Sequence, residues 1–449
     1  MTKMLTRVTR SDETWSTTVA REGGGETKLD LTRLEPEVLL ERVVKLFQLS
    51  RRRVGRSRVE LYHRAALRRR VRAGEADGHL VIESGRDEGL AVRLVDAQGR
   101  IGFASVSDMG EEAIDWALTE ARRCPLADVD RREPWAAGQG EVKEDLELPV
   151  ELPPPETLAR WLRRAVARME IDPSSGGRFA TGRSWVEYGC TVESIVADGG
   201  LRACRARTRA WAMTHQRTRE GETEEERPRL LAARRLEDLL EQDWGPVEPL
   251  PDGPPLSLDE VAKLPFVLDP LAASVLVKAL VRALFTYGHG TVQVGAGLDV
   301  SDVPGHPLGL AGGGFDDAGF PARRKRLADG RRVLHRIEGR GHLRRPSFRD
   351  PPRPHTTTLV VRDGREALPP RAVRISDLRP HPLGPGKWIL EIRGALLEKG
   401  VAVRPLPVSF VQVSPAELAG RCSGAVGRGR LCPNNTLTPS LLIEGLAHA

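Results

Sequence analysis

The residues with most chemical potential lie in one stretch, "FVLDPLAASVLVKALVRALFTYGH", residues 266–289. After Pro270 the polar positions are Ser274, Lys278 and Arg282, four apart, which places a hydroxyl, an ammonium and a guanidinium on one helical face. Everything else from Leu271 to Phe285 is apolar, the pattern of a buried helix. The ten histidines are scattered, with no HxxxH or HxH pair and none beside a cysteine at ligand spacing. His289, one to two turns past the stripe, is the strongest single candidate; a polar residue at a helix end is the plain alternative. The five cysteines contain no CxxC pair, which argues against a zinc ribbon and a disulfide framework and for free, buried thiols. No G-x-S-x-G elbow supports a serine hydrolase. "GLAGGGFDD" (Gly309 to Asp317) lacks the Lys-Ser/Thr of a phosphate cradle and reads as a turn region.

A second chemical feature is charge. The net charge is +7, yet residues 321–350 alone hold eleven Lys/Arg against three acids. Such a segment could neutralise phosphates. Only Phe320 and Phe348 lie nearby to stack on bases, so a hairpin "KRLADGRRVLHR" with outward arginines is the simpler reading. An alternative use is binding of acidic groups or of the C-terminal carboxylate of a peptide, for which Arg344 and Arg345 are the natural candidates.

The elements that must carry these groups follow from periodicity. Residues 1–33 are polar, contain "EGGGETK" and read as a disordered tail. Helical spacing predicts helices near 36–52, 110–123 and 155–171, with alternating strands between 58 and 106 and again over 183–213. Turn signals stand at "AGEADG", "SGRDEG", "DAQG" and "ADGG", and the acidic run 219–228 reads as a solvated loop. Residues 243–265 hold six prolines and read as a linker. The expected fold class is α+β, with an N-terminal α/β domain over 34–245 and a mostly β domain over 246–449 that contains one buried helix after the linker. No stretch reaches the roughly 18 apolar residues of a membrane span, and the start lacks a secretory h-region, so a cytoplasmic protein without membrane contact is expected. The scarcity of aromatics and the abundance of Arg, Gly and Pro fit a GC-rich bacterial genome.

Five blocks then carry a resemblance: "GLAVRLVDAQGRIGFASVSDM", "FVLDPLAASVLV", "GGGFDDAGFPARRKRLADGRRVL", "GHLRRPSFRDPPRPHTTTLVV" and "TPSLLIEGL". In that order, over roughly residues 40–449, they resemble the TldD/PmbA family of peptidase subunits, once named modulators of DNA gyrase. The resemblance implies two kinds of chain. TldD-like subunits carry His-Glu-x-x-x-His on the helix after the Pro, with a C-terminal Cys as a further zinc ligand; TldE (PmbA)-like subunits lack these and pair with the first kind. Here the motif positions are occupied by Lys278, Ala279 and Ala283, and neither Cys422 nor Cys432 falls in register with the family's Cys. A protonated Lys is a poor zinc ligand, and Ala offers neither a lone pair nor a general base. The implied role is a metal-free, TldE-like subunit, with zinc in a TldD-like partner, peptide as substrate and Arg344, Arg345 and His289 as substrate-binding candidates. A stand-alone peptidase with an unrecognised site and an Arg-rich nucleic-acid or regulatory module are the alternatives.

Overall fold

The computed structural model describes residues 6–11, 14–19, 33–73, 80–123, 140–144, 150–169, 184–220, 223–241, 251, 253–261, 263–286, 292–335, 337, 342–384 and 386–445. The chain forms two compact units of α+β type. The first comprises Met1–Gly245 together with Gly313–Pro321 and Leu343–Arg353; the second comprises Pro246–Gly312, Ala322–His342 and Pro354–Ala449. The division falls at Gly245/Pro246, but two short segments from the later half of the chain belong to the first unit.

In the first unit Ile101–Val106, Leu80–Val95, Arg58–Ala73, Trp185–Ala197 and Leu201–Glu220 follow one another as antiparallel neighbours. Leu201–Glu220 also pairs parallel with Glu141–Glu144 near its start and antiparallel with Thr223–Ala233 near its end. Alternation sorts the side chains. Val59, Leu61, Ala65, Leu67 and Val71 face a core that also holds Leu90, Val92, Val186 and Val192. That core includes apolar positions of the helices Pro36–Arg53, Glu111–Arg123 and Pro155–Met169. The intervening residues, Glu60, Tyr62, Arg64, Arg68 and Arg70, point to the opposite face. On that face the register sets Arg64 opposite Glu193 and Glu193 opposite Arg205.

In the second unit a nine-stranded sheet runs in the order Lys325–Asp329, Asp299–Asp302, Leu359–Val361, Thr436–Ile443, Phe266–Leu268, Arg371–Gly384, Lys387–Glu398 and Val401–Val413; Cys422–Cys432 pairs with Thr436–Ile443. The short central strand Phe266–Leu268 is parallel to Arg371–Gly384 and antiparallel to Thr436–Ile443. Pro270 then starts the helix Pro270–Leu280, where its missing N–H costs nothing. Ala272, Ala273, Leu276, Val277 and Leu280 are buried among Leu268, Ile375, Leu441 and Ile443.

Several local expectations are corrected. The tail over 1–33 contains an antiparallel pair, Thr6–Ser11 with Thr14–Val19, built from β-branched threonines and valines. The acidic run 219–228 is a hairpin, not a loop, with Arg217 opposite Glu226 and Arg219 opposite Glu224. "SGRDEG" lies inside the strand Leu80–Val95. Its Gly89 is needed for close approach rather than for a turn, because a Cβ there would stand 2.1 Å from the Phe348 ring. The second half of the proline-rich linker is ordered: Ser257 and Glu260 form a reciprocal capping box ahead of Leu258–Val261, with Glu260 N to Ser257 Oγ at 3.3 Å and Ser257 N to Glu260 Oε2 at 3.0 Å. Among the described residues no helix is long and apolar enough to cross a membrane.

Candidate functional site

The helix that opens the second unit changes pitch. It is α-helical over Pro270–Leu280 and π-helical over Val281–Thr286. In an α-helix residues five apart differ by about 140° around the axis. The i→i+5 bonds of a π turn bring such residues toward one face, and π segments recur at functional sites. Here the widening starts between positions 278 and 283.

The polar stripe divides. Ser274 is fully buried; its Oγ donates to Leu271 O (2.7 Å) and accepts from Asn434 Nδ2 (3.1 Å). Lys278 Nζ donates to Asn434 O (2.8 Å), and burial lowers its pKa below the ordinary lysine value. Arg282 faces outward, exposed. Ser274 and Lys278 are thus two contacts onto one turn, Cys432 to Asn435. The Cys432 thiol donates to Pro270 O (3.3 Å), and burial pushes it up to about 11. Asn435, at φ 62°, donates from Nδ2 to Thr357 O (2.7 Å) and accepts at Oδ1 from Leu310 N (2.7 Å). Next to it, Asp302 is fully buried and accepts from Thr357 N (2.9 Å) and Thr357 Oγ1 (2.6 Å), while its other oxygen meets His342 Nδ1 at 3.1 Å. Because the threonine hydroxyl donates to the carboxylate and not to the imidazole, this trio is no nucleophile–base relay.

The first unit holds a larger polar construction on the sheet face opposite its main core. Arg205, at 1 % exposure, donates from Nε to Glu193 (2.6 Å), from Nη1 to Phe315 O (2.6 Å) and from Nη2 to Asp317, with the Phe315 ring 4.6 Å from its guanidinium carbon. Asp317 also accepts from Arg344 Nη1 (3.2 Å) and Arg345 N (2.6 Å). Arg345 donates from Nε to Asp317 O (3.3 Å), from Nη1 to Asp350 O (3.3 Å) and from Nη2 to Glu60 (2.8 Å); Glu60 in turn pairs with Arg93. Tyr62 donates to Glu193 at 3.0 Å. Burial raises the pKa of Glu193 and of Asp317, but the neighbouring guanidiniums, Arg205 foremost, outweigh it and hold both below the usual carboxylate range. Arg207 is pushed down to about 10, first by burial and then by Arg205.

Comparison with known proteins gives a consistent picture. A family model described as PmbA/TldA metallopeptidase domain 1 matches residues 77–124, the stretch that contains the strand Leu80–Val95, the "DAQG" turn and the helix Glu111–Arg123. TldE from Thermococcus kodakarensis superposes with a TM-score of 0.70 at 17% identity, over 90% of this chain and 99% of that one. A protein from Thermotoga maritima described as a modulator of a DNA gyrase gives 0.69 at 15% identity with the same coverages. One of like description from Bacteroides thetaiotaomicron gives 0.61 at 15% identity, over 90% and 97%. No curated protein sequence matches the chain. Residues 77–124 thus match the PmbA/TldA family model, and the chain as a whole shares the fold of these three structures.

The resemblance places a zinc motif on this helix, and the chain's own side chains bear on it. A zinc site needs lone-pair donors at the first and last motif positions and a carboxylate after the first. Lys278 instead presents donor hydrogens, one of them already on Asn434 O; Ala279 and Ala283 present methyl groups that pack against the second unit's core. The residues present do not fit the metal. Among the described residues no group of three His, Cys, Asp or Glu stands together as a ligand set. His289 lies outside the described residues. Arg344 and Arg345 are both buried inside the first unit, Arg345 with every nitrogen engaged and Arg344 through Nη1 alone. The basic segment is dispersed in the same way. Arg326 pairs with Asp299 (2.8 Å) and Arg349 with Asp87 (3.5 Å), while Arg323, Arg324, Arg331 and Arg332 remain exposed. Glu193, Arg205, Asp317 and Asn434 were not singled out from sequence. The signal for Arg205 was the i, i+2 arginine alternation in "RARTRA", which places Arg205, Arg207 and Arg209 on one sheet face.

Proposed function

We propose that this peptidase-related chain is a metal-free, TldE/PmbA-like subunit that pairs with a zinc-bearing TldD-like chain in a heterodimeric, cytoplasmic metallopeptidase. In this reading it contributes interface and part of the peptide cleft, and the partner contributes the hydrolytic chemistry. The observation that supports it most is Lys278: its ammonium sits at the first ligand position of the family motif and donates to the Asn434 carbonyl. A donor at that point opposes metal binding, and no carboxylate follows it to take a proton from water. The likeness to a protein named TldE points the same way. Peptide held as an added strand draws mainly on backbone groups, a contribution a chain without catalytic residues can make.

The test is co-expression with a His-Glu-x-x-x-His chain encoded in the same genome, followed by purification through a tag on this chain. The expected result is a co-purifying partner, zinc in proportion to that partner, and peptidase activity only in the pair. Stoichiometric zinc with peptidase activity from this chain alone would overturn the proposal.

A further inference from the structure

We infer that Arg64, Arg207 and Arg344 of the first unit form a receptor for a carboxylate, the side chain of an acidic residue in a peptide. Around Glu193 and Asp317 the described residues place six guanidiniums, of Arg64, Arg93, Arg205, Arg207, Arg344 and Arg345, against three ion-paired carboxylates, of Glu60, Glu193 and Asp317. A fourth carboxylate, Asp316, accepts from the backbone N–H groups of Ala318, Phe320 and Leu343 (2.9, 3.0 and 3.2 Å) and also feels the charge of Arg344. Arg205 and Arg345 are saturated by these partners. Arg207 and Arg344 are not: in each, Nε and Nη2 are buried without a hydrogen bond, as is Nε of Arg64. Arg207 Nη2 does lie 3.0 Å from Glu193, but as an ion pair outside hydrogen-bond direction.

Nε and Nη2 form the side edge of a guanidinium, the edge that a planar two-oxygen acceptor caps with two parallel bonds. Two such edges left bare among buried cations are costly without an anion, because an unmade bond to a charged donor forfeits more than an ordinary one. Trp211, two strand positions beyond Arg209, also has its Nε1 buried without a partner. Arg205, Arg207, Arg209 and Trp211 therefore alternate along one strand at the repeat of roughly 7 Å that alternate side chains of an extended peptide share. A nucleic acid fits less well. Arg70 and Arg209 lie over the Trp185 and Trp211 rings at 4.3 and 5.2 Å, where bases would stack, and Glu187 and Glu193 stand among the cations to repel a polyphosphate.

The inference rests on the peptide reading above only for the peptide; the carboxylate site belongs to this chain alone, so the assay uses the purified chain without a partner and can fail or succeed independently of pairing. Tryptophan fluorescence and calorimetry would follow binding of acetyl-triglutamate amide, its triglutamine counterpart, inorganic phosphate and a short single-stranded DNA. The glutamate peptide is expected to bind at least about tenfold more tightly than the glutamine peptide, as charged hydrogen bonds require. Arg207→Gln should remove that advantage, and so should Arg207→Lys, which keeps the charge but not the fork. Arg428→Gln, an exposed arginine of the second unit, should leave it unchanged. Equal binding of the two peptides, undiminished preference in both folded Arg207 variants, or tighter binding of phosphate or DNA than of the glutamate peptide would each overturn the assignment.

Discussion

Replacing Asp317 by Asn isolates the charge balance of the first unit. The side chain keeps its shape while the negative charge is removed. Its oxygens accept from Arg205 Nη2, Arg344 Nη1 and Arg345 N, all buried. Removing one member of a buried ion pair while leaving the other costs about 3–5 kcal/mol, because the remaining charge has lost its compensation in a poorly solvated site. For a unit of this size each kcal/mol corresponds to about 2–4 °C, so the transition of the first unit should fall by about 6–20 °C. Differential scanning calorimetry and urea titration would read it. The same reasoning requires coupling: Arg344→Gln placed on top of Asp317→Asn should restore part of the loss, since it removes an uncompensated cation. A loss under about 1 kcal/mol, or two losses that simply add, would refute the view that Asp317 neutralises this cluster.

Three further outcomes follow from the geometry. Glu88 is raised by burial but lowered more by hydrogen bonds from His63 and Arg86, and comes to about 2; a depressed carboxylate stabilises the fold above its unfolded pKa and loses that contribution as pH falls, so Glu88→Gln should flatten the acid side of the stability profile between about pH 5 and 2. Gly89→Leu should destabilise the first unit by more than about 1 kcal/mol in thermal melts, because even a Cβ at Gly89 meets Phe348 at 2.1 Å, and Phe348→Ala in the same chain should recover part of that loss. Cys190, Cys422 and Cys432 are pushed by burial to about 12, 12 and 11, and Cys204 is raised as well; iodoacetamide at pH 8 should therefore leave these four unlabelled in the native protein and label them after unfolding, located by mass spectrometry.

What could be read from the sequence was what local chemistry decides. The buried helix after Pro270 was legible because one residue type excludes water over three turns, and the sheet of the first unit because Val59, Leu61, Leu90, Val92 and Leu94 alternate. The fate of the stripe was not legible. Ser274 and Lys278 point inward because Asn434, about 160 positions later, offers them an amide and a carbonyl, and no periodicity within the helix encodes a partner so distant. Arg344 and Arg345 looked alike for the same reason. One is closed by Glu60 and two carbonyls and the other is left with a bare edge, a difference made by the sheet register of Glu60, Glu193 and Arg205 rather than by the pair itself.

The π segment carries the last step. An apolar run at helical spacing does not announce a change from 3.6 residues per turn to a wider coil, since Val281, Ala283 and Leu284 suit either. A widened turn brings residues five apart together, the separation that a His-Glu-x-x-x-His pair needs, and here it falls after Lys278 with Ala283 inside it. Nothing about Lys278 or Ala283 as ligands demands that widening, for one donates to a carbonyl and the other has no polar atom. The backbone geometry and the side-chain chemistry at these positions are therefore separable. Packing of Leu276, Val277, Leu280 and Val281 into the second unit's core is sufficient to hold the helix, and the ammonium of Lys278, a donor where a metal ligand must accept, sets what that helix can do.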